Sequence, residues 1–307
     1  MKFSVAICSK NREKSLERTV RSILNQSLLP STIFIVKTVK VVTKNFHKKI
    51  IIIKDSAIEI YLIEISENKA KTIGFSRNIA LSLCKTKELF FVDDDVILKF
   101  NTFKKLMKVL KNDNRLFSAS GRVVGIDSSL FSRYMTFFHS QGFLNPSVPQ
   151  LMDNASTTCV LIDMDKWRKN KIFFPTEISA GEDVLFFAYF REQKYSLMYC
   201  PKITIKHDFF PNRFDFFRRF FWYSSSMIET NKIDNRFFYE YFDYLPLRRL
   251  HLIFFPFFLI FRAFSLTKVS YNSEKIRDKS LFWAEYLRNM TYVVGVTYSK
   301  FFKKSFI

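Results

Sequence analysis

Cysteine is scarce in this sequence, and its cysteines are far apart. The 307 residues include four, Cys8, Cys84, Cys159 and Cys200, and none belongs to a CxxC pair. This spacing excludes a dense disulfide framework and a structural zinc site of the usual kind. Cys8, Cys84 and Cys159 stand among apolar neighbours, which is typical of buried thiols. We therefore expect a protein of a reducing cytoplasm.

A long apolar run is also missing. The longest, residues 252–261, has 10 uncharged apolar residues, whereas a helix that spans a bilayer needs about 18 or more. Arg248, Arg249 and Arg262 bracket this run and Pro256 interrupts it, which favours an interfacial or re-entrant helix, with an ordinary buried helix as the alternative. The N-terminus shows no charged stretch followed by an apolar one, so we expect no cleaved signal peptide.

Acidic residues are outnumbered by basic ones. There are 28 Asp and Glu residues against 49 Lys and Arg residues, which gives a formal net charge of +21. Such a balance points to nucleic acid, an anionic membrane or a phosphorylated substrate, and composition alone does not choose among them. The basic residues form short pairs and no long tail. A solvated basic surface is the simplest interpretation, and a membrane-facing patch is the next.

The order of apolar segments in the first third of the chain predicts an α/β fold. Runs with the length and composition of buried strands alternate with segments of helical periodicity. The predicted strands are residues 3–8, 33–36, 58–65 and 89–92. The predicted helices are residues 16–26, 72–84 and 103–110. This β-α-β-α-β order predicts a Rossmann-like, mostly parallel central sheet with helices on its faces.

The pattern becomes mixed after residue 115 and changes again near residue 210. Further strands are predicted at 117–126, 158–162 and 196–205, the last broken by Pro201, and a helix at 183–190. Residues 127–155 look like a long polar and aromatic connection. Beyond residue 209, Phe, Tyr and Arg interleave. We therefore predict an α/β domain over residues 1–210 and a helical, aromatic and basic region over residues 211–307 that associates with a membrane.

Three consecutive aspartates follow the predicted strand 89–92. Asp93, Asp94 and Asp95 repel one another, and partial burial adds a desolvation cost. A divalent cation such as Mg²⁺ or Mn²⁺ is the simplest compensation, because hard cations bind carboxylate oxygens together with substrate phosphates. The carboxyl end of a parallel strand is also where open α/β sheets bind ligands. The run predicts a metal site, with a solvated acidic loop as the alternative.

Two more features are candidates for chemistry. Glu182 and Asp183 open a predicted helix, where they serve either as helix-terminal caps or as catalytic carboxylates. His207 comes directly after a predicted strand. A lone histidine in that position is structural in most proteins, and a metal ligand is the alternative.

Together, these features resemble the family 2 glycosyltransferases of GT-A fold over roughly residues 3–210. The resemblance rests on five motifs that occur in the family's order. They cover the opening strand and nucleotide loop, the segment ending in Arg-Asn before a helix, the DxD signature, the acidic pair and the strand ending in histidine. Their positions are residues 5–12, 74–80, 91–95, 181–183 and 201–207.

The resemblance implies a role for each matching residue. Asn11 and Arg12 would line the nucleotide pocket, with a simple loop as the alternative. Arg77 would approach the diphosphate, since a guanidinium suits phosphate geometry; an exposed arginine at the start of a helix is the alternative. Asp93 or Asp94 would contact the ribose or the base of the donor.

The resemblance also implies a metal and a catalytic base. Asp95 would hold a divalent ion, Mn or Mg, with His207. Asp183 would be the general base. Asp93 and Glu182 are secondary candidates.

The implied activity is an inverting transfer from a nucleotide-sugar donor to an acceptor hydroxyl. The acceptor would be a glycan or a lipid-linked precursor of a surface polysaccharide or glycolipid, at the cytoplasmic face of the cell membrane. The sequence departs from the family at Lys37, which follows the second strand where an aspartate usually binds the nucleobase. The alternative is an inactive GT-A scaffold that binds a membrane surface or nucleic acid; a nucleic-acid partner is the less expected of the two.

Overall fold

The structure of the protein is a computed structural model. It describes residues 2–43, 46–139, 148–153, 155–209, 213–234, 260–261, 263–264, 267 and 280–301. The chain divides into two units. The first unit is Met1–Ile126 with Gly142–Asp208, and the second unit is Asp127–Gln141 with Phe209–Ile307.

One sheet of ten strands organises the first unit. The strands are β1 Ser4–Ser9, β2 Thr32–Val39, β3 Phe46–Ile53, β4 Ser56–Ser66, β5 Glu88–Val92, β6 Val96–Leu98, β7 Leu116–Gly125, β8 Gln150–Met152, β9 Cys159–Asp163 and β10 Ser196–His207. Their order across the sheet is β3-β4-β2-β1-β5-β9-β7-β10-β6, and β8 pairs with β10.

Most of the strands run in one direction, as the sequence predicts. β1 is parallel to β2 and β5, β2 is parallel to β4, and β7 is parallel to β10. β9 lies antiparallel between β5 and β7, while β3, β6 and β8 are also antiparallel to their neighbours. The mixed α/β fold with a mostly parallel sheet is therefore confirmed.

Helices flank the sheet on both faces. Those of the first unit are α1 Glu13–Leu24, α2 Ile73–Leu83, α3 Thr102–Lys111, α5 Met164–Asn170 and α6 Glu182–Glu192. The alternation of side chains along each strand produces two apolar clusters. On β1, Ala6 belongs to one cluster, while Val5 and Ile7 belong to the other.

The second unit is helical where the structure describes it. Its helices are α4 Leu130–Phe138, α7 Arg213–Ile233 and α8 Ser280–Phe301. None of the described helices has the length and hydropathy to cross a membrane. The predicted apolar run 252–261 lies outside the described residues except for its last two positions.

Two local expectations were wrong. Residues 127–155, expected to be one long connection, contain α4 and β8, because their apolar residues find partners that are distant in sequence. Pro201 does not end the last strand either. β10 continues through it, and its register with β7 shifts between Cys200 and Thr204, where a residue without an N–H is tolerated.

A close contact fixes α2 against the segment at 174–176. Asn78 donates to the carbonyl of Phe174 and accepts from its N–H, both at 2.9 Å. Thr72 Oγ1 donates to the carbonyl of Thr176 at 3.1 Å. Gly74 permits this approach, since a Cβ atom at this position would lie 2.3 Å from the carbonyl oxygen of Pro175.

We expect Gly74→Ala to destabilise the protein. Replacing a helical glycine by alanine ordinarily stabilises by roughly 0.5–1 kcal/mol, but the clash with Pro175 reverses the sign and costs about 1–3 kcal/mol. Denaturant unfolding measures the change. Ser82→Ala, at an exposed position of the same helix, is the control and should stay within about 0.5 kcal/mol of wild type. A stabilised Gly74→Ala variant would contradict the packing described here.

Candidate active site

The strands that end at one edge of the sheet bring the predicted residues together. β1 pairs in parallel with β5, so Ser9 and the aspartates after Val92 leave the sheet side by side. Asp93 is anchored by its N–H, which donates to the carbonyl of Thr158 at 3.0 Å. This is the carboxyl edge of the parallel strands, where such sheets bind ligands.

Asp94 and Asp95 are buried, with only 5% and 6% of their surfaces exposed. Ser9 Oγ donates to Asp94 Oδ2 at 2.6 Å. Burial raises the pKa of Asp94 to about 6, and the hydrogen bond from Ser9 opposes this rise. The alternative of a solvated acidic loop is therefore excluded for these two aspartates.

His207 lies beside Asp95, as the metal-ligand hypothesis requires. Its Nε2 is 3.2 Å from Asp95 Oδ1. The next residue strengthens the contact, because the N–H of Asp208 donates to the carbonyl of Asp95 at 2.9 Å. Arg18 on α1 in turn holds the Asp208 carboxylate at 2.7 Å. The end of β10 is thus tied to the aspartate run by both backbone and side chains.

Asp93, Asp95 and His207 form a group that fits a divalent cation. Each offers one ligand atom, and these atoms lie within 4.8 Å of one another. Ligands held about 2.1 Å from an octahedral ion are roughly 3–4 Å apart, so small side-chain adjustments suffice. The two carboxylates suit Mn²⁺ or Mg²⁺ in combination with phosphate oxygens, and the imidazole favours Mn²⁺ over the harder Mg²⁺. Asp93, a secondary candidate from the sequence, belongs to this group.

Arg12 contacts the same aspartates from the loop after β1. Its Nη1 donates to Asp94 Oδ1 at 3.3 Å and also donates to Asp95 Oδ2. Asn11, with φ of 56°, adopts the left-handed conformation that turns the chain from β1 toward α1. Arg12 therefore offsets part of the negative charge of the run.

Arg77 is a buried cation and not a surface arginine. It donates to Glu182 Oε1, and its Nη2 lies 3.6 Å from Asp93 Oδ1. The ring of Phe174 lies beneath the guanidinium, 5.6 Å away. Burial lowers the pKa of Arg77, but the charges of Glu182 and Asp93 raise it by more, so the pKa of Arg77 is raised overall. Arg77 thus joins the aspartate run to the acidic pair.

Glu182 and Asp183 stand at the first turn of α6, after Gly181 with φ of 88°. Asp183 accepts from the N–H groups of Thr157 at 3.3 Å and Val184 at 2.9 Å. Burial raises the pKa of Asp183. Burial also raises the pKa of Glu182 to about 7, against the opposing charge of Arg77. A carboxylate of raised pKa is a better proton acceptor than an ordinary aspartate.

Lys37 lies inside β2, near its end at Val39, and its side chain is paired. Its Nζ donates to both carboxylate oxygens of Glu13 at 2.9 Å. Glu13 stands at the start of α1, so a carboxylate is present near the strand end even though β2 itself supplies none.

Several residues of this edge were missed by the sequence analysis. Ser9 could have been found as a polar residue that ends an apolar strand, and Asp208 as the neighbour of His207. No sequence signal marks Arg18 or Thr157, because their contacts join segments more than 20 residues apart.

We expect Arg77→Met to destabilise the protein by about 3–5 kcal/mol, because it leaves the buried Glu182 without its cation. The pKa of Glu182 is already raised to about 7 in the wild-type protein, so loss of Arg77 raises it further. A raised carboxyl pKa lowers stability as pH increases, and the extra penalty should grow above pH 7 by up to about 1.4 kcal/mol per pH unit. Urea unfolding at pH 7 and pH 9 measures the free energy of unfolding and therefore this penalty.

The matched control is the double variant Arg77→Met/Glu182→Gln. It removes both charges, so the increase between pH 7 and pH 9 should disappear. An equal pH dependence in the single and double variants would contradict the pairing of Arg77 with Glu182.

Comparisons with known proteins concern the fold and the family of the chain. Among curated protein sequences, none matches the chain. The structure of S. aureus TarS residues 1–349 is similar, with 15% identity and a TM-score of 0.51 over 98% of this chain and 91% of that one. TarS 1–349 in complex with UDP-GlcNAc has 14% identity and a TM-score of 0.51 over 98% and 92%.

A second kind of structure shares the fold. GalNAc-T7 with UDP, GalNAc and Mn²⁺ has 10% identity and a TM-score of 0.50, over 68% of this chain and 44% of that one. At these identities the likenesses show the fold, which is GT-A. The model of glycosyl transferase family 2 matches residues 4–169, more than half of the sequence. The chain belongs to glycosyl transferase family 2, as the five motifs predicted.

Proposed function

We propose that this protein transfers a sugar from a nucleotide-diphosphate sugar to an acceptor hydroxyl, with inversion at the anomeric carbon. One observation carries the proposal. Asp93, Asp95 and His207 converge at the carboxyl edge of the sheet, and Arg77 connects them to the acidic pair at the start of α6. A cation site and a separate carboxylate are the minimal parts of a single displacement.

On the donor side of the proposed site, a bound cation and two arginines would place positive charge beside the leaving diphosphate. Asp93, Asp95 and His207 would hold Mn²⁺ or Mg²⁺, which neutralises developing charge on the phosphates when bound. Arg77 and Arg12 add fixed positive charge beside the aspartate run. Preorganised charges of this kind stabilise a transition state because they need no rearrangement during the reaction.

The acceptor side depends on a proton acceptor. Asp183 fits this role because burial raises its pKa and two backbone N–H groups hold its carboxylate in one orientation. Glu182 serves as the anchor, since its contact with Arg77 fixes the first turn of α6 relative to the aspartates. With one base and no carboxylate assigned as a nucleophile, we propose a direct attack by the acceptor hydroxyl.

The donor class draws support from the structural neighbours. TarS has been determined with UDP and with UDP-GlcNAc, so a uridine nucleotide sugar is the first donor to test. Glu13, held by Lys37 near the end of β2, offers the carboxylate that the family's usual aspartate would provide for the nucleobase. The acceptor we propose is a glycan or lipid-linked precursor of a surface polysaccharide or glycolipid, met at the cytoplasmic face of the cell membrane.

We expect Asp95→Asn to weaken Mn²⁺ binding and to lower donor turnover by about 10²–10³-fold, the usual effect of losing one electrostatic contact to a transition state. Calorimetric titration with Mn²⁺ and release of nucleoside diphosphate from a panel of nucleotide sugars measure the two effects. Asp165→Asn, at an exposed position of α5, is the control. Unchanged Mn²⁺ affinity in Asp95→Asn would contradict the cation site.

We expect Asp183→Asn to reduce transfer by about 10²–10⁴-fold while donor affinity stays near that of wild type, as for loss of a general base. The measurement pairs kcat with the Kd of the donor. Asp153→Asn, an exposed aspartate of the same unit, should leave both unchanged. Lost donor binding would show that Asp183 is structural, and a wild-type chain that binds donor without any turnover would favour the inactive scaffold.

A further inference from the structure

Polar side chains lie in the interior of the second unit. Glu285, Asn289 and Thr267 are fully buried, and Arg288 is nearly so. They satisfy one another, since Arg288 Nη2 donates to Glu285 Oε1 at 2.7 Å and Asn289 Nδ2 donates to Thr267 Oγ1 at 2.9 Å. Tyr134 on α4 also donates to Glu285. A closed network of this kind is stable without water.

A row of four aromatic side chains is partly exposed on the same unit: Phe264 and Trp283 are exposed, and the other two are half-buried. We define the aromatic patch as Phe264, Phe282, Trp283 and Tyr286, whose rings follow one another at centroid distances of 6.2, 5.7 and 6.0 Å. Trp283 is 63% exposed. Residues two apart on a helix are about 200° apart around its axis, so Trp283 points away from the side that carries Glu285.

A second aromatic surface runs along α7. Phe214, Arg218 and Trp222 recur every four residues and therefore share one face of the helix. All three are exposed, whereas Phe216 and Phe220 point into the unit. We define these three exposed residues as the α7 stripe. Along the helix, the basic residue Arg218 lies between two aromatic positions.

We propose that the aromatic patch and the α7 stripe bind the interface of an anionic lipid bilayer. The unit exposes large aromatic side chains although its interior also holds Phe216 and Phe220, and a cluster of exposed apolar side chains marks an interaction surface. Tryptophan prefers the boundary between headgroups and acyl chains, because its ring is apolar and its N–H is polar. None of the described helices can cross the bilayer, so the surface would lie on it.

The charge of this part of the chain favours an anionic lipid over a second copy of the protein. Residues 209–307 contain 16 Lys and Arg residues against 8 Asp and Glu residues. Anionic headgroups attract a segment with this net charge, while a second copy carrying the same charge repels it. Membrane contact is thereby proposed for particular side chains, which the basic and aromatic composition alone could not identify. This contact does not depend on the transfer reaction.

Quenching by brominated lipid tests the proposal on the full-length chain. The three tryptophans are Trp167, Trp222 and Trp283. Trp167 belongs to the first unit and is buried, so it serves as the internal reference. With vesicles of phosphatidylcholine and brominated phosphatidylglycerol, we expect emission from Trp222 and Trp283 to be quenched. Trp222→Phe and Trp283→Phe should each remove part of the quenched emission, and both together should leave only the emission that resists quenching.

Vesicle flotation measures how strongly the full-length chain and its variants bind to lipid. Phe264→Ser/Trp283→Ser should weaken binding to vesicles containing phosphatidylglycerol by about tenfold or more, because it removes two large apolar side chains from the contact. Ile50→Ser/Ile52→Ser is the matched control, since these residues are exposed on β3 in the first unit. It should bind as wild type does. Arg218→Gln should weaken binding to anionic vesicles and not to neutral ones.

Several results would overturn the proposal. Equal binding by the patch variant and wild type, or unquenched Trp222 and Trp283 in vesicle-bound protein, would exclude these surfaces. Concentration-dependent association in sedimentation that Phe264→Ser/Trp283→Ser abolishes would assign the patch to a second copy instead. Donor turnover measured without vesicles is independent of all these outcomes, so failure here leaves the transferase proposal standing.

Discussion

The buried guanidinium of Arg77 holds the candidate site together. Five carboxylates lie along this edge of the sheet, those of Asp93, Asp94, Asp95, Glu182 and Asp183. Burial raises the pKa of Asp94, Glu182 and Asp183, and the charges of neighbouring carboxylates add to this rise. Arg77 contacts one member of each acidic group, Asp93 in the aspartate run and Glu182 in the acidic pair. Without a cation at that point, the acidic pair on α6 and the run after β5 could not both remain charged so close together.

The position of Arg77 depends in turn on how tightly α2 packs. The segment 174–176 is bonded to Asn78 and Thr72 and passes over Gly74, where no side chain keeps it away. The same segment leads into Gly181 and the start of α6. A contact between two pieces of backbone therefore determines where Glu182 meets Arg77. The ion pair between Arg77 and Glu182 therefore depends on the absence of a side chain at Gly74.

Much of the fold follows from local sequence. Buried parallel strands need apolar runs such as 89–92, and amphipathic helices need apolar residues at helical spacing, so both can be recognised from short windows. The run Asp93–Asp95 is visible for the same reason. In contrast, α4 and β8 were missed within residues 127–155, because their apolar residues are explained only by partners distant in the chain.

The pairings inside the site are beyond local patterns. Arg77 and Glu182 are 105 residues apart, and Arg12 and Asp95 are 83 apart. Order along the chain predicts that such residues share an edge of the sheet, but not which oxygen each guanidinium contacts. For that reason the sequence alone did not exclude that Arg77 is a surface arginine. In the structure it is buried and contacts both acidic groups.

The basic character of the chain and its acidic site are two separate features. Over the whole sequence, basic residues dominate with a net charge of +21, yet the edge of the sheet that carries the site is rich in buried carboxylates. Attraction between the donor and the overall charge acts at long range and weakens with salt. In the proposed function, phosphate recognition at close range instead uses Arg12, Arg77 and a cation among the aspartates. The surplus of positive charge is therefore better matched to an extended anionic surface than to the donor, and the sequence of residues 209–307 has both an excess of basic residues and the exposed aromatic rings of the described helices.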